Sequence, residues 1–447
     1  MESPEHNPVF DPSAPHQQRP RLRPIRGFPA KHGEMTLIGL ADARQISDQI
    51  VFAAPAFQMV LPHFDGEKNI DEILAAVGRG LTRDVLEQFV ARLDDAGLLE
   101  GPTFEAMLSK MRRVFDEAPT LPPATTAAFA DQLVMQEFGE TATDEQKAEH
   151  GPAKLRAAMD EWMNKSLENV PDPSFNALPK AVIAPHLDYG RGWINYGQVY
   201  GRMRVVDRPD RVIILGTNHF GMGTGVVGCD KSYETPLGLC ELDAEFLGRL
   251  KTNLGSGNTA KLLAHRYDHE REHSIELHIP WIQHVFGGTN GNAPKVFAAL
   301  VHDPLAKGGK SYDDQGLDFD PFLDALKKTI AESPGKTLIV ASVDLSHVGA
   351  SFGDQTPIAG DSDEAKGFRD RVINHDREML MLVAQGKTEE LLTAMAWQQN
   401  PTRWCSLGAL TATLKATDAG EVQVFQYAAA GDQQGMALVS SFSGAIL

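Results

Sequence analysis

Three apolar runs in this chain end in a histidine: Ala181-Val-Ile-Ala-Pro-His186, Arg211-Val-Ile-Ile-Leu-Gly-Thr-Asn-His219 and Thr337-Leu-Ile-Val-Ala-Ser-Val-Asp-Leu-Ser-His347. Imidazole binds metals and moves protons near neutral pH. Short Val- and Ile-rich runs closed by turn residues read as buried strands of a mostly parallel sheet. Open α/β sheets bind ligands at the carboxyl ends of their strands. Three imidazoles delivered there can converge on one pocket, and the commonest task of such a cluster is to hold a metal. A single strand-end histidine is more often structural; three together shift the balance toward a site.

Three further segments carry ionisable or nucleophilic groups. The densest is Asp268-His-Glu-Arg-Glu-His-Ser-Ile-Glu-Leu-His278-Ile-Pro280. If Ser274 opens a helix, Glu272, His273 and Glu276 surround its first turn, where the helix dipole favours carboxylates. His273, Glu276 and His278 do not share one helical face, and the order is not that of a His-Glu-x-x-His zinc protease. The alternative is a solvated helix start with its cap. In Val343-Asp-Leu-Ser-His347, Asp344 and His347 stand where a strand runs out. A carboxylate three residues away can orient the ring and raise its basicity, which suits a general acid/base. Alternatively, Ser346 and Asp344 cap a following helix. Cys405 precedes the apolar helical run from Leu407 to Leu414. A thiol at a helix N-terminus is a better ligand or nucleophile, whereas lone cysteines are commonly inert small hydrophobes, the reading given to Cys229 and Cys240. A Cys405–His347 nucleophilic pair would leave two strand-end histidines without a role, so metal ligation accounts for more of the residues. A GxGxxG loop after a strand, a Walker loop and a GxSxG elbow are all absent.

The elements that must position these groups follow from the patterning. Strands are expected at 181–185, 211–216, 295–301, 337–343, 423–430 and 436–443. Helices are expected at 241–251, 274–286, 321–332, 364–385 and 388–397. Their alternation predicts an α/β fold, a mostly parallel central sheet flanked by helices, over residues 180–447. Ahead of it, residues 1–25 are rich in Pro, His and Arg without periodicity and are expected to be disordered. Residues 26–105 read as a small winged-helix-like module. There Asp71 and Glu72 suit the first turn of a helix from Ile70, Thr82 caps a second, and Gly97 ends it. Its segment 64–100 is not basic, so it fits protein or peptide docking rather than DNA. Residues 106–179 read as connecting helices and linker, with 118–126 as the looser stretch.

The chain has 447 residues and 60 acidic against 42 basic side chains, a net charge of −18. Two or three domains are expected. So acidic a surface argues against nucleic acid or anionic membrane as a partner. Three cysteines without a CxxC suit a reducing compartment. The sequence shows neither a signal-peptide layout nor a run of the ~18 apolar residues that cross a bilayer, and the expectation is a cytoplasmic, soluble protein.

Taken in order, Ile183-Ala-Pro-His186-Leu-Asp-Tyr189, Ile214-Leu-Gly-Thr-Asn-His219, Glu272-His-Ser-Ile-Glu-Leu-His278-Ile-Pro280, Ser342-Val-Asp344-Leu-Ser-His347 and Cys405 resemble the Memo family. In particular they resemble the prokaryotic members called protein B of the AmmeMemoRadiSam system. The resemblance covers about residues 180–447. It implies a fold similar to class III extradiol dioxygenases, which hold non-haem iron(II) with two His and a carboxylate. Carried over by motif, it implies His186, His219 and Cys405 as metal ligands and His347 as acid/base with Asp344 beside it. His273 and Glu276 would line or support the pocket, with Asp188, Tyr189, Asn218 and His278 around the substrate. Iron(II) is the metal implied first; thiolate in place of carboxylate softens the site toward copper or zinc.

Two departures stand out. After the first His the family carries Ala-Gly-Tyr, whereas this chain has Leu187-Asp188-Tyr189, so Asp188 joins Cys405 as a candidate third ligand. The family's His-Ala-Gly-x-Trp-Tyr-like motif ahead of the domain is replaced by residues 122–129. The N-terminal module resembles PqqD-like peptide-recognition domains through Phe64-Asp-Gly-Glu-Lys-Asn-Ile-Asp-Glu-Ile-Leu and Leu93-Asp-Asp-Ala-Gly-Leu-Leu. The resemblance implies as partners a radical-SAM protein and an AMMECR1-type protein of the same system, with a small-molecule or peptide substrate. The reading is thus a dioxygenase-like, metal-dependent oxidoreductase. The alternatives are a non-catalytic peptide- or protein-binding scaffold and a metal hydrolase.

Overall fold

A strand buried on both faces must be apolar or have its polar groups paired, and the two strand-end runs that open the larger domain meet that condition, with Arg211 paired to Asp243 at 2.9 Å. Ala181–Ala184 and Arg211–Gly216 are buried throughout. The structure, a computed structural model, describes residues 8–33, 35–78, 80–287 and 292–447. The chain divides into two units, Met1–Ala118 with Phe220–Met222, and Pro119–His219 with Gly223–Leu447.

The smaller unit contains an antiparallel sheet of β1 (Ile25–His32), β2 (Met35–Asp42) and β3 (Ile50–Ala53) in that order. It also holds the helices Ile70–Val77, Arg83–Asp95 and Pro102–Glu117. Leu40, Val51, Phe64, Ile73, Leu86 and Phe89 form its core. Asn69 and Glu72 close a capping box on the first helix, and Thr82 caps the second. At Gly97 (φ 66°) the chain turns left-handed, and Leu98 N–H reaches back to the Leu93 carbonyl at 2.8 Å. The expected disorder of residues 1–25 is corrected for residues 8–25; residues 1–7 lie outside the described residues. Pro15–Gln18 is a helical turn, Gln17 donates to Asp94 at 2.7 Å, and buried Arg23 pairs with buried Asp42 at 3.0 Å under the Phe104 ring. The sequence signal misled because these polar side chains have buried partners far along the chain. The helix expected to be a connector, Pro102–Glu117, belongs to this unit, with Phe104 and Phe115 buried.

The larger unit contains β4 (Thr120–Leu121), β5 (Ala181–Ala184), β6 (Arg211–Gly216), β7 (Val227–Gly228), β8 (Ser232–Thr235), β9 (Gly238–Cys240), β10 (Lys295–Leu300), β11 (Thr337–Ser342), β12 (Asp344–Val348), β13 (Gln423–Gly431) and β14 (Leu438–Ile446). The main sheet runs β12-β14-β5-β11-β6-β10-β7, with β13 on β14; β4, β8 and β9 form a second, small sheet. Strands β5, β11, β6 and β10 are mutually parallel, while β7, β12, β13 and β14 pair antiparallel. The sheet is therefore mixed rather than mostly parallel. The few residues between β13 and β14 are too short for a crossover and make a hairpin.

Alternate residues of each strand face opposite layers. Ile183, Ile213, Phe297, Ile339 and Phe442 join the core under helices Ala244–Leu263, Phe319–Glu332 and Leu407–Ala416. The other face meets helix Tyr189–Arg202, which packs on helix Asp144–Leu167. Glycine permits that approach: a Cβ at Gly197 would stand 2.6 Å from the Trp162 carbonyl oxygen. The 118–126 stretch is not slack, because β4 pairs with β8 and helix Thr125–Phe138 begins at once. No described helix is long and apolar enough to cross a membrane.

β12 differs from expectation. Beyond Val343 the chain neither ends its strand nor starts a helix; it pairs antiparallel with β14. Its anchor is the fully buried Asp376 on helix Asp363–Ala384. That carboxylate accepts from Ser346 Oγ (2.5 Å), Trp404 Nε1 (2.7 Å), Tyr427 Oη (2.7 Å) and Ser440 Oγ (2.5 Å), joining four segments at one point. Asp376→Ala strands these donors in the core and is expected to cost about 3 kcal/mol of stability. The check is a fall in the denaturation midpoint at constant m-value.

Candidate functional site

His186 follows β5, His219 follows β6 and Ser342 ends β11, so the three neighbouring parallel strands deliver their polar residues to one end of the sheet. Cys405 arrives from the loop before helix Leu407–Ala416. Gln399 (φ 59°), Asn400 (φ 47°) and Arg403 (φ 58°) all adopt left-handed backbone there. The Asn400 side chain holds both the N–H and the carbonyl of Trp404, and Arg403 Nε donates to the His347 carbonyl at 2.8 Å. This strained loop is over-determined by its contacts, as functional loops often are.

The donor atoms of His186, His219 and Cys405 lie within 4.8 Å of one another. Cys405 Sγ is 3.4 Å from His186 Nε2. The hydrogen-bond partners fix which ring nitrogen faces inward. Ser342 Oγ gives its proton to the Ser274 carbonyl at 2.6 Å, so it accepts from His186 Nδ1–H at 2.9 Å. His219 Nδ1–H is bound by the Glu272 carboxylate at 3.0 Å. Both Nε2 atoms are left to the site, the arrangement that orients imidazole ligands in metalloproteins. Burial, with His219 and His273 nearby, keeps His186 well below its usual pKa, so the ring is neutral. Burial acts the same way on His219 but is outweighed by Glu272, which raises it. Glu272 is itself buried, yet His219 and the N–H groups of His219 and Ser274 hold it in the ionised form.

His273 stands over this group, its ring 4.9 Å from His219 and 5.5 Å from His186, and is kept neutral chiefly by burial. Asp344 and His347 also reach the site. Residues three apart on a regular strand face opposite sides, but β12 takes three steps from Asp344 to His347 while β14 takes two from Ser441 to Val439. That bulge turns both side chains to one cavity of about 280 Å³, which they line with His186, His219 and His273. The expectation that Asp344 orients His347 is corrected: His347 Nδ1–H donates to the Leu345 carbonyl at 2.9 Å. Asp344 instead accepts from the His186 N–H at 3.2 Å, its other oxygen 3.6 Å from His186 Nε2. Burial pulls His347 down to about 4 and pushes Asp344 up to about 7.

Several expected site residues lie elsewhere. Of the two expected roles, lining or support, Glu276 takes support: its oxygens accept the N–H of Ala124 (2.9 Å), Thr125 (3.1 Å) and Thr126 (2.9 Å) and the Thr126 hydroxyl (2.6 Å), capping a helix distant in sequence. Tyr189 is buried, donates to the Leu277 carbonyl at 2.6 Å and packs among Phe129, Tyr196 and Trp281. His278 is buried against the Tyr200 hydroxyl at 2.9 Å, and Asn218 donates to Asp268 at 2.9 Å. None of these four lines the cavity. Asp188 does, but its carboxylate caps helix Tyr189–Arg202 and pairs with Arg191 Nε at 2.6 Å. Of the two candidate third donors, the described residues group Cys405 and not Asp188 with the two histidines. Sequence reasoning missed Glu272, Ser342 and Ser274 as site residues. Glu272 could have been found from its place beside His273 in the densest ionisable segment; a serine at a strand end carries no comparable signal.

The fold and site define an α/β protein with a histidine-rich pocket at the carboxyl ends of its parallel strands. The chain belongs to the Memo family: the family's profile, described as Memo-like protein, matches residues 146–445. Similar relatives include a MEMO1 family protein of Aquifex aeolicus, 25% identical over 79% of this chain and 80% of its own length. One from Desulfurococcus amylolyticus is 28% identical over 64% of this chain and 89% of its own. One from Pyrococcus furiosus is 31% identical over 47% and 67%.

Two outcomes test this description. Glu276→Ala is expected to lower stability by about 3 kcal/mol in denaturant unfolding, because three helix-start N–H groups lose their acceptor. Burial holds His278 at about 3, below its unfolded value, so only the unfolded chain takes up that proton between the two values. Stability is then lost as pH falls from about 6.5 toward 3, and His278→Phe should make that fall shallower, by up to ~1.4 kcal/mol per pH unit. Thermal melts across that range give the slope.

Proposed function

We propose that the protein is a metal-dependent oxidoreductase of dioxygenase-like type, with the metal held by His186, His219 and Cys405. The observation that carries this is the convergence of two imidazoles, their Nδ1 atoms already committed, on one thiol. The 3.4 Å between Cys405 Sγ and His186 Nε2 fits two donors sharing an ion, given bonds of ~2.0–2.3 Å. Three donors leave coordination positions open, and a bound redox metal would supply electron transfer to substrate or oxygen there. Iron(II) is proposed first; the thiolate also suits copper or zinc.

The chain's own residues supply the rest. His347, neutral at pH 7 with its Nδ1 proton tied to Leu345, offers Nε2 as a proton acceptor at the cavity wall. Asp344, with a carboxyl near 7, can give or take a proton beside His186. Leu187, Leu277, Phe352 and Val439 limit water in the cavity. A fold relation to class III extradiol dioxygenases belongs to this proposal. So does a place as protein B of an AmmeMemoRadiSam system in the cytoplasm, with radical-SAM and AMMECR1-type partners. The small unit, with its three-stranded sheet and capped helices, is proposed as a PqqD-like peptide-docking module.

Elemental analysis of anaerobically purified protein is expected to give close to one equivalent of iron or copper. His186→Ala, His219→Ala and Cys405→Ala should each abolish it. Glu272→Gln should weaken metal affinity about 10–100-fold by removing the partner of His219 Nδ1. Wild type that stays metal-free after reconstitution would overturn the reading and favour a peptide- or protein-binding scaffold.

A further inference from the structure

We propose that the cavity selects a small monocarboxylate through Arg191; this rests on the reading of that cavity as the substrate site. At about 280 Å³ it lies at the small end of ligand cavities, which run from about 300 to 1,000 Å³, so it suits one ring or a short chain. Leu187, Leu277, Phe352 and Val439 give it apolar lining, and Arg191 is the only Arg or Lys among its described lining residues. Asp188 holds that residue at one backbone and one side-chain point. One carboxylate oxygen accepts the Arg191 backbone N–H at 3.1 Å, and the other accepts Nε–H at 2.6 Å. Neither Arg191 Nη has a hydrogen-bond partner among the described residues, so a pre-oriented pair of donors is left over. Such a fork matches a carboxylate in the bidentate mode. The guanidinium is also near enough for its charge to act on Asp344 across the cavity.

The charge count sets the ligand class. Asp188 already balances Arg191 and Asp344 adds acidity, so a dianionic phosphate would meet more negative than positive charge, whereas a single carboxylate needs only the free fork. Apolar walls then favour a carboxylate on an apolar body. Arg191 is in this view a specificity-determining residue, bound to the carboxylate of the substrate.

The test uses the full chain, with and without added cobalt(II), titrated calorimetrically with benzoate, benzamide and phenyl phosphate. Benzoate should bind at least tenfold more tightly than either of the others. Arg191→Gln should remove that preference while leaving benzamide binding unchanged, and Arg191→Lys should restore part of it. Equal binding of benzoate and benzamide, no binding of benzoate at millimolar concentration, a preference for phenyl phosphate, or a preference that survives Arg191→Gln overturns the proposal. Metal content of the same samples separates the two readings. A benzoate preference without metal uptake supports the carboxylate pocket and removes the metal centre; metal uptake without the preference does the reverse.

Discussion

The site depends on where two imidazole protons go. A histidine can present either ring nitrogen, and only the partner of the other decides which. Here Ser342 takes the Nδ1 proton of His186, and Glu272 takes that of His219. Both partners are themselves constrained: Ser342 by donating to the Ser274 carbonyl, Glu272 by the N–H groups of His219 and Ser274. The short helix His273–Glu276 is thus the common support of both rings. Its last residue, Glu276, fastens it to helix Thr125–Phe138 through three backbone N–H groups. The donors around that buried carboxylate offset its loss of hydration.

A second support fixes the opposite wall. Asp376 gathers donors from β12, β13, β14 and the loop ahead of Cys405, so the bulged strand carrying Asp344 and His347 and the loop carrying the thiol share one anchor. Glu276 and Asp376 each place a multiply hydrogen-bonded carboxyl group in the interior, which specifies geometry more than it adds net stability.

Much of this was legible in the sequence, and for definable reasons. β5, β6, β10 and β11 are buried on both faces, so they read as continuous apolar runs, and a histidine at the end of such a run marks the ligand-binding edge. His186 and His219 were therefore legible as site residues from the pattern alone, whereas Cys405, in a loop ahead of a helix, joined them only through the resemblance to the Memo family. The geometry of Asp344 and His347 could not. It depends on a bulge relative to β14, a strand nearly a hundred residues later, and a bulge leaves no local pattern. That Glu276 supports the pocket without lining it, and that Tyr189 stands outside it, could not be read for a related reason. A carboxylate or phenol beside site histidines reads as chemistry, but long-range partners, the 124–126 backbone and the Leu277 carbonyl, claim them for structure.

The same distinction bears on Asp188. Sequence reasoning treats a carboxylate two residues from a metal-ligand candidate as a further donor to the ion. In the fold it serves as a helix cap and as the clamp of Arg191. Helix Tyr189–Arg202 starts immediately after the His186 loop and is seated by Gly197 against helix Asp144–Leu167. Whatever fixes that helix therefore fixes the guanidinium relative to the imidazole. One segment, Ala181–Arg202, thus carries a metal-ligand candidate at its strand end and a cationic fork one turn into its helix. The distance between the two is set by that backbone together with the Asp188 clamp on the Arg191 side chain. In the proposed binding mode this segment acts as a ruler: a monocarboxylate that reaches both ends is restricted in length and in orientation within the cavity.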